Sequence, residues 1–165
     1  METVHHPLEP VWDSRSRVLI LGTMPSPKSR EAGFYYGHPR NRFWPALAAI
    51  FSEEVPLGTA ARRAFCLRHR IALWDVLASC EIQGASDSSI HSAVPNPIGE
   101  LLEQAPIEAI FTTGQKAFSL YQKLCLPMTG RKALCLPSTS PANCAISLDA
   151  LIERYQIIKS FVDAP

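Results

Sequence analysis

Four times along the chain a short apolar run is followed by a stretch with helical periodicity, and this alternation constrains the fold more than any other feature. Residues 17–21, Arg-Val-Leu-Ile-Leu ended by Gly22, read as a buried strand. Residues 71–74, 108–112 and 131–136 read as three more. Helices are predicted over 42–51, with Phe43, Leu47 and Ile50 on one face, and over 58–69, 97–104, 114–124 and 147–162. The helix at 97 starts just inside a proline, where the missing N–H is tolerated. Strands alternating with helices imply an α/β fold, a three-layer α/β/α sandwich with a central four-stranded parallel sheet. A chain of 165 residues suits one compact domain, here 1–165, with 1–16 as an N-terminal arm over the surface. In such sheets ligands bind outside the carboxyl ends of the strands. That rule selects four loops: 22–42, 75–92, 112–115 and 136–144.

Composition narrows the function classes. The net charge of +1 disfavours a broad electrostatic clamp over a long duplex, though a DNA-binding protein need not be basic overall. Basic residues are nevertheless concentrated, with Lys28, Arg30, His38, Arg40 and Arg42 in one stretch whose lone carboxylate is Glu31. Five cysteines without C-x-x-C spacing disfavour a disulfide scaffold, a zinc ribbon and an iron–sulfur cluster. His5, His6, His69 and His91 show no metal-ligand spacing. The start of the sequence has no apolar signal core, and no run approaches the roughly 20 apolar residues of a membrane span. The expectation is a soluble protein of a reducing, cytoplasmic compartment.

Three loops could carry chemistry, and each has a plainer reading. In Gly22-Thr23-Met24-Pro25-Ser26-Pro27 the glycine permits close backbone approach, and the prolines leave the Thr23, Met24 and Ser26 amides free to face a ligand. The plainer reading is a proline-stiffened turn. In Gly33–Trp44, the row Phe34-Tyr35-Tyr36 lies among basic residues. Aromatic faces stack on bases and basic groups hold phosphate, or the rings cover the core beneath a long loop. In Ser138-Thr139-Ser140-Pro141-Ala142-Asn143, hydroxyls and amides on proline-fixed backbone suit phosphate contacts, or the turn caps the last helix. Asn41 is equally an N-cap for the helix at 42, and Asp75 a cap for a following helical turn.

Together these segments resemble the uracil-DNA glycosylase superfamily, over about residues 17–160. Gly22–Ser26 resembles its first motif and Ser138–Asn143 its second. Tyr-Tyr-Gly-His-Pro-Arg-Asn-Arg-Phe-Trp at 35–44, Ala-Leu-Trp-Asp-Val-Leu at 72–77 and Leu-Pro-Ser-Thr-Ser-Pro-Ala-Asn at 136–143 resemble most closely the hypoxanthine-DNA glycosylase family. The first motif departs from the pattern. Met24 stands where mismatch-specific uracil and thymine enzymes carry asparagine and classical uracil enzymes carry aspartate. In the hypoxanthine family the catalytic asparagine lies in the His-Pro-Arg-Asn segment, which matches Asn41.

The resemblance implies a monofunctional DNA glycosylase, working as a monomer without metal or cofactor, that excises deaminated bases. Its partner would be double-stranded DNA with such a base, or single-stranded DNA. Asn41 would hold the water or polarise the leaving base, with Gly22 and Thr23 beside it. Tyr36 would stack on the flipped base, with Tyr35 as the fallback, Met24 beside them and Asp75 accepting an N–H from the base. Ser26, His38, Arg40, Ser138, Ser140, Ala142 and Asn143 would contact DNA, Ala142 or Asn143 as a wedge; Lys28, Arg30 and Arg42 are further phosphate candidates. His38 equally suits a structural hydrogen bond beside Pro39. The rivals are a uracil or thymine glycosylase acting on mismatches, a non-catalytic reader of damaged DNA, and a nucleosidase.

Overall fold

A computed structural model describes residues 2–83 and 86–163. Residues 84 and 85 of the expected 75–92 loop, and residues 1, 164 and 165 of the expected domain, lie outside the described residues. In chain order the elements are β1 (Glu2–His5), β2 (Val18–Gly22), α1 (Pro27–Ala32), α2 (Phe43–Ile50) and α3 (Thr59–Arg68). They continue with β3 (Ile71–Asp75), β4 (Leu77–Ile82), β5 (His91–Pro95), α4 (Ile98–Gln104), β6 (Ala109–Thr113) and α5 (Gln115–Leu120). After a π-helical turn at Tyr121–Cys125 come α6 (Leu126–Thr129), β7 (Leu134–Leu136) and α7 (Leu148–Val162).

The four expected strands form one parallel sheet in the order β3-β2-β6-β7. All five residues of β2 are buried, as its apolar run requires of a central strand. Its side chains alternate between the two faces. Val18 and Ile20 join a core with Phe43 and Leu47 of α2 and Leu151 and Tyr155 of α7. Leu19 and Leu21 join another with Leu101 of α4, Tyr121, and Leu77 and Cys80 of β4. Two cores on opposite faces of one sheet are the expected three layers.

Three elements depart from the sequence reading. The long loop 23–42 contains α1, capped by Ser26, whose Oγ accepts from the Ser29 amide, and opened by Pro27. The stretch after Asp75 is not a polar loop. The chain turns at Val76 into β4, which pairs antiparallel with β1 and β5 in a second sheet. Register shifts in the β4–β5 pairing break the period-two pattern that would have revealed these strands. The described part of the arm, residues 2–16, is built in rather than laid over the surface: Val4 and Val11 are buried, and Val11 bridges to Leu73. No described helix is long and apolar enough to cross a membrane.

Candidate functional site

The four strand ends of the parallel sheet open onto one cavity of about 320 Å³. Its lining includes Gly22 after β2, Asp75 at the end of β3, Thr113 at the end of β6, and Ser138 and Ser140 beyond β7. Tyr36 and Asn41 complete it from the long segment after β2. All four loops selected by the strand-end rule therefore contribute.

The floor is Gly22 and Asp75. The Asp75 side chain packs so closely over Gly22 that a Cβ there would sit 2.5 Å from Asp75 Oδ1. Close approach is the use of this glycine; its φ is not in the left-handed region. Asp75 caps no helical turn, because β4 follows. Its Oδ2 instead accepts from His6 Nε2 at 2.8 Å, with both side chains buried. Gly22 and Thr23 accept through their carbonyls from Val76 and Leu77. Among the described residues nothing accepts from the Thr23, Met24 or Ser26 amides. Met24 lines the cavity while packing against the second core.

One wall is aromatic. The Tyr36 ring lies 3.8 Å from Phe43 at 9°, stacked, and its hydroxyl meets Thr113 Oγ1 at 3.0 Å. Tyr36 has φ 52, a left-handed conformation unusual for a bulky residue. Such strain, about 1–3 kcal/mol, persists where surrounding contacts impose it. Burial, and then the Asp75 carboxylate, push the Tyr36 phenol well above its ordinary pKa, so it stays neutral. Tyr35 also lines the cavity, but it is buried and its hydroxyl donates to the Glu9 carbonyl. Burial and then Asp75 raise its pKa too.

Asn41 sits above the floor. Its Oδ1 accepts from the Phe43 amide at 2.9 Å and from the Thr139 hydroxyl at 2.8 Å. Those donors fix the orientation of the amide, because a main-chain N–H needs an oxygen. Asn41 is not the N-cap of α2, which is Arg42 without a side-chain cap bond; it stands one residue earlier and accepts from the first amide of the helix. Its Nδ2 has no partner among the described side chains and is not a sealed atom.

The second loop is held from within. Ser138 Oγ accepts from the Ser140 amide and Ser140 Oγ from the Ala142 amide. Gly114, at φ +96, lets the β6 loop abut Ser138, where a Cβ would come within 3.3 Å of the Ser138 Cβ. The loop does not cap the last helix; Ser147 does. Arg42 is not free for phosphate. Its guanidinium donates to the carbonyls of Ile146, Asn143 and Ser140 at 2.5, 2.8 and 3.4 Å. Asn143 turns its amide to the Ser138 carbonyl and does not line the cavity. Arg40 is exposed and also lies outside the lining. Ser26 and Ala142 lie in the lining. So does His38, whose Nδ1 accepts from the Arg40 amide, leaving Nε2 as the donor. Arg30 lines the cavity 3.9 Å from Glu2, and Lys28 pairs with Glu31 on the exposed surface.

Sequence reasoning missed His6, Thr113 and Thr139. Thr113 and Thr139 sit beside predicted residues at strand ends, so the strand-end rule could have found them. Nothing in the sequence ties His6 to Asp75. Among the described residues, no group of three or more His, Cys, Asp or Glu side chains could hold a metal ion.

Comparison with known proteins agrees with this geometry. The sequence profile of the uracil DNA glycosylase superfamily matches residues 10–158. A hypoxanthine DNA glycosylase of Methanosarcina acetivorans is 35% identical over 135 residues, covering 81% of this chain and 84% of that protein. One of Methanosarcina barkeri is 33% identical over 136 residues, covering 81% and 85%. The solution NMR structure of a uracil DNA glycosylase candidate from Methanosarcina acetivorans superposes with a TM-score of 0.83 at 28% identity, covering 99% of this chain and all of that one. A profile that spans nearly the whole chain, and a cavity built from the two motif loops, place this chain in the uracil DNA glycosylase superfamily.

Proposed function

We propose that the protein is a DNA-repair glycosylase that takes a deaminated base, hypoxanthine foremost, out of duplex DNA and hydrolyses its N-glycosidic bond to leave an abasic site. The carrying observation is that Gly22, Tyr36, Asn41, Asp75 and Ser140, far apart in sequence, line one cavity. Its volume of about 320 Å³ lies at the small end of ligand sites, as suits a lone nucleobase. The hypoxanthine DNA glycosylases among its relatives support the same substrate class.

A duplex buries the scissile bond, so the nucleotide must be flipped, at a few kcal/mol and less at a mismatch. In this reading Tyr36, backed by Phe43, is the shelf on which the flipped base stacks. Asp75 Oδ1 accepts the N1–H of hypoxanthine from below. Cleavage passes through an oxocarbenium-like sugar while negative charge grows on the departing base. The unpartnered amides of Thr23 and Met24 are donors for that charge, as in an oxyanion hole. Asn41 cannot act as a base, since an amide does not take a proton near neutrality. With Oδ1 engaged by Phe43 and Thr139, it offers the cavity only Nδ2. That favours polarising the leaving base over drawing a proton from water. Ser138, Ser140, Ala142 and His38 face the DNA backbone at the rim, and Ala142 is the remaining wedge candidate.

The test is single-turnover incubation with duplexes carrying hypoxanthine, xanthine or uracil, followed by alkaline cleavage at abasic sites. Hypoxanthine should be excised fastest. Excision of uracil with hypoxanthine untouched would make the protein a pyrimidine mismatch enzyme. Binding without any abasic product would make it a reader of damage.

A further inference from the structure

We propose that His6, delivered by the N-terminal arm, is a positioning residue that locks the Asp75 carboxylate so that Oδ1 reads whether the base in the cavity carries a ring N–H. The inference rests on the placement of a flipped base against Asp75 argued above.

The lock is visible in the hydrogen bonds. The main-chain N–H of His6 donates to the Ala78 carbonyl at 2.7 Å, which fixes the arm beside β4. His6 Nδ1 accepts from the Leu8 amide at 3.3 Å. In a neutral imidazole one nitrogen accepts and the other donates, so the proton lies on Nε2 and points at Asp75 Oδ2, 2.8 Å away. The His6 and Asp75 side chains are only 3% and 6% exposed, so water does not compete for this bond. Asp75 is held from its main chain as well, because Asn96 Nδ2 donates to its carbonyl at 2.9 Å.

What remains is one oxygen. Oδ1 lies against the Gly22 backbone and has no hydrogen-bond partner among the described residues. The sealed and unpartnered side-chain atoms among the described residues are Arg30 Nε and Thr112 Oγ1. Oδ1 is not one of them, so it opens onto the cavity that Asp75 lines.

A carboxylate oxygen fixed in this way offers lone pairs and nothing else. Adenine and cytosine present a ring-nitrogen lone pair at the corresponding edge, which would face Oδ1 acceptor to acceptor. Deamination of adenine or cytosine converts that ring nitrogen into an N–H beside a carbonyl, giving hypoxanthine or uracil; xanthine keeps the N1–H of its parent guanine. Sites built around a buried hydrogen-bonding group reject partners that lack the match by large factors, because the group is left unpaired. Guanine carries the same N–H, so its rejection falls to other walls. Selectivity of this kind requires that the carboxylate not turn about its own bond, and His6 supplies that constraint.

The experiment compares single-turnover excision of hypoxanthine with that of 1-methylhypoxanthine, in which the N–H is replaced by a methyl group. Wild-type protein should prefer hypoxanthine by roughly a hundredfold or more. His6→Phe and His6→Ala should shrink that preference to within about tenfold while the thermal midpoint shows a folded protein. His6→Gln, whose Nε2 can donate to Oδ2, should restore most of it. Retention of the wild-type preference in a folded His6→Ala or His6→Phe protein would overturn the proposal. So would an equal loss on both substrates, or no recovery with glutamine. Asp75→Asn separates the two levels. If it leaves the preference unchanged, the base does not lie against Asp75. If it abolishes the preference while His6→Ala does not, only the His6 lock fails.

Discussion

Asn41 is a structural residue whose amide also borders the cavity. Its oxygen accepts from Phe43 and Thr139, and its nitrogen has no partner among the described residues. Asn41→Ala should lower single-turnover excision by about 10²–10³-fold, the loss typical of a transition-state donor, with DNA affinity nearly intact. Asn41→Asp keeps both accepted bonds and loses the donor, so it should be as slow as alanine; an active aspartate variant would assign the residue to water activation instead. Gly22→Ala places a methyl 2.5 Å from Asp75 Oδ1, and the floor has to shift. Excision should fall by at least tenfold and the thermal midpoint should fall with it, because the carboxylate held by His6 cannot turn aside; CD melting and single-turnover assays read the two effects. At this scale the sequence was informative where a residue type fitted its strand end. Gly22, Asn41, Asp75 and Ser140 follow from the strand pattern and the resemblance. His6 does not, because its partner lies 69 positions away and a lone histidine in an irregular arm carries no periodic signal. Arg42 read as a phosphate ligand from charge alone, and its guanidinium is taken by three carbonyls.

Among the elements, those whose burial follows a single period were legible. β2, β3 and β6 lie mostly buried between two layers and contain apolar runs, whereas the edge strand β7 buries only Leu136. β4 and β5 were not legible, since their pairing is irregular and β5 is largely exposed. α1 was not either, being six residues long and mostly polar. Arg42, at the threshold of α2, ties that helix to the second loop across a separation of about a hundred positions. Hydrogen bonds to a charged group contribute about 1.5–3 kcal/mol. Arg42→Ala should therefore lower unfolding free energy by about 2 kcal/mol, read as a reduced urea midpoint at constant slope. It should also weaken DNA binding by releasing Ser138–Ala142. An unchanged midpoint would mean the clamp contributes little.

For the whole molecule, two sheets meet at Asp75, and the same corner carries the phenols of buried Tyr35 and half-buried Tyr36, with Tyr155 in the core beside it. Burial raises the pKa of all three above the ordinary 10.0. A raised acid pKa in the folded state means that the unfolded chain loses its proton first. The stabilisation is complete below pH 10 and declines as pH rises beyond it. Urea midpoints should stay flat through neutrality in this respect and fall steeply above pH 10, and Tyr36→Phe should soften the fall. What the strand-end cavity receives decides the function. The most direct measurement is a crystal structure with a duplex carrying 2′-fluoro-deoxyinosine, whose glycosidic bond resists hydrolysis. Hypoxanthine should be found extrahelical, stacked on Tyr36, with N1–H toward Asp75 Oδ1 and Asn41 Nδ2 at its edge. A base still paired in the duplex, or lodged away from Gly22 and Tyr36, would contradict the account.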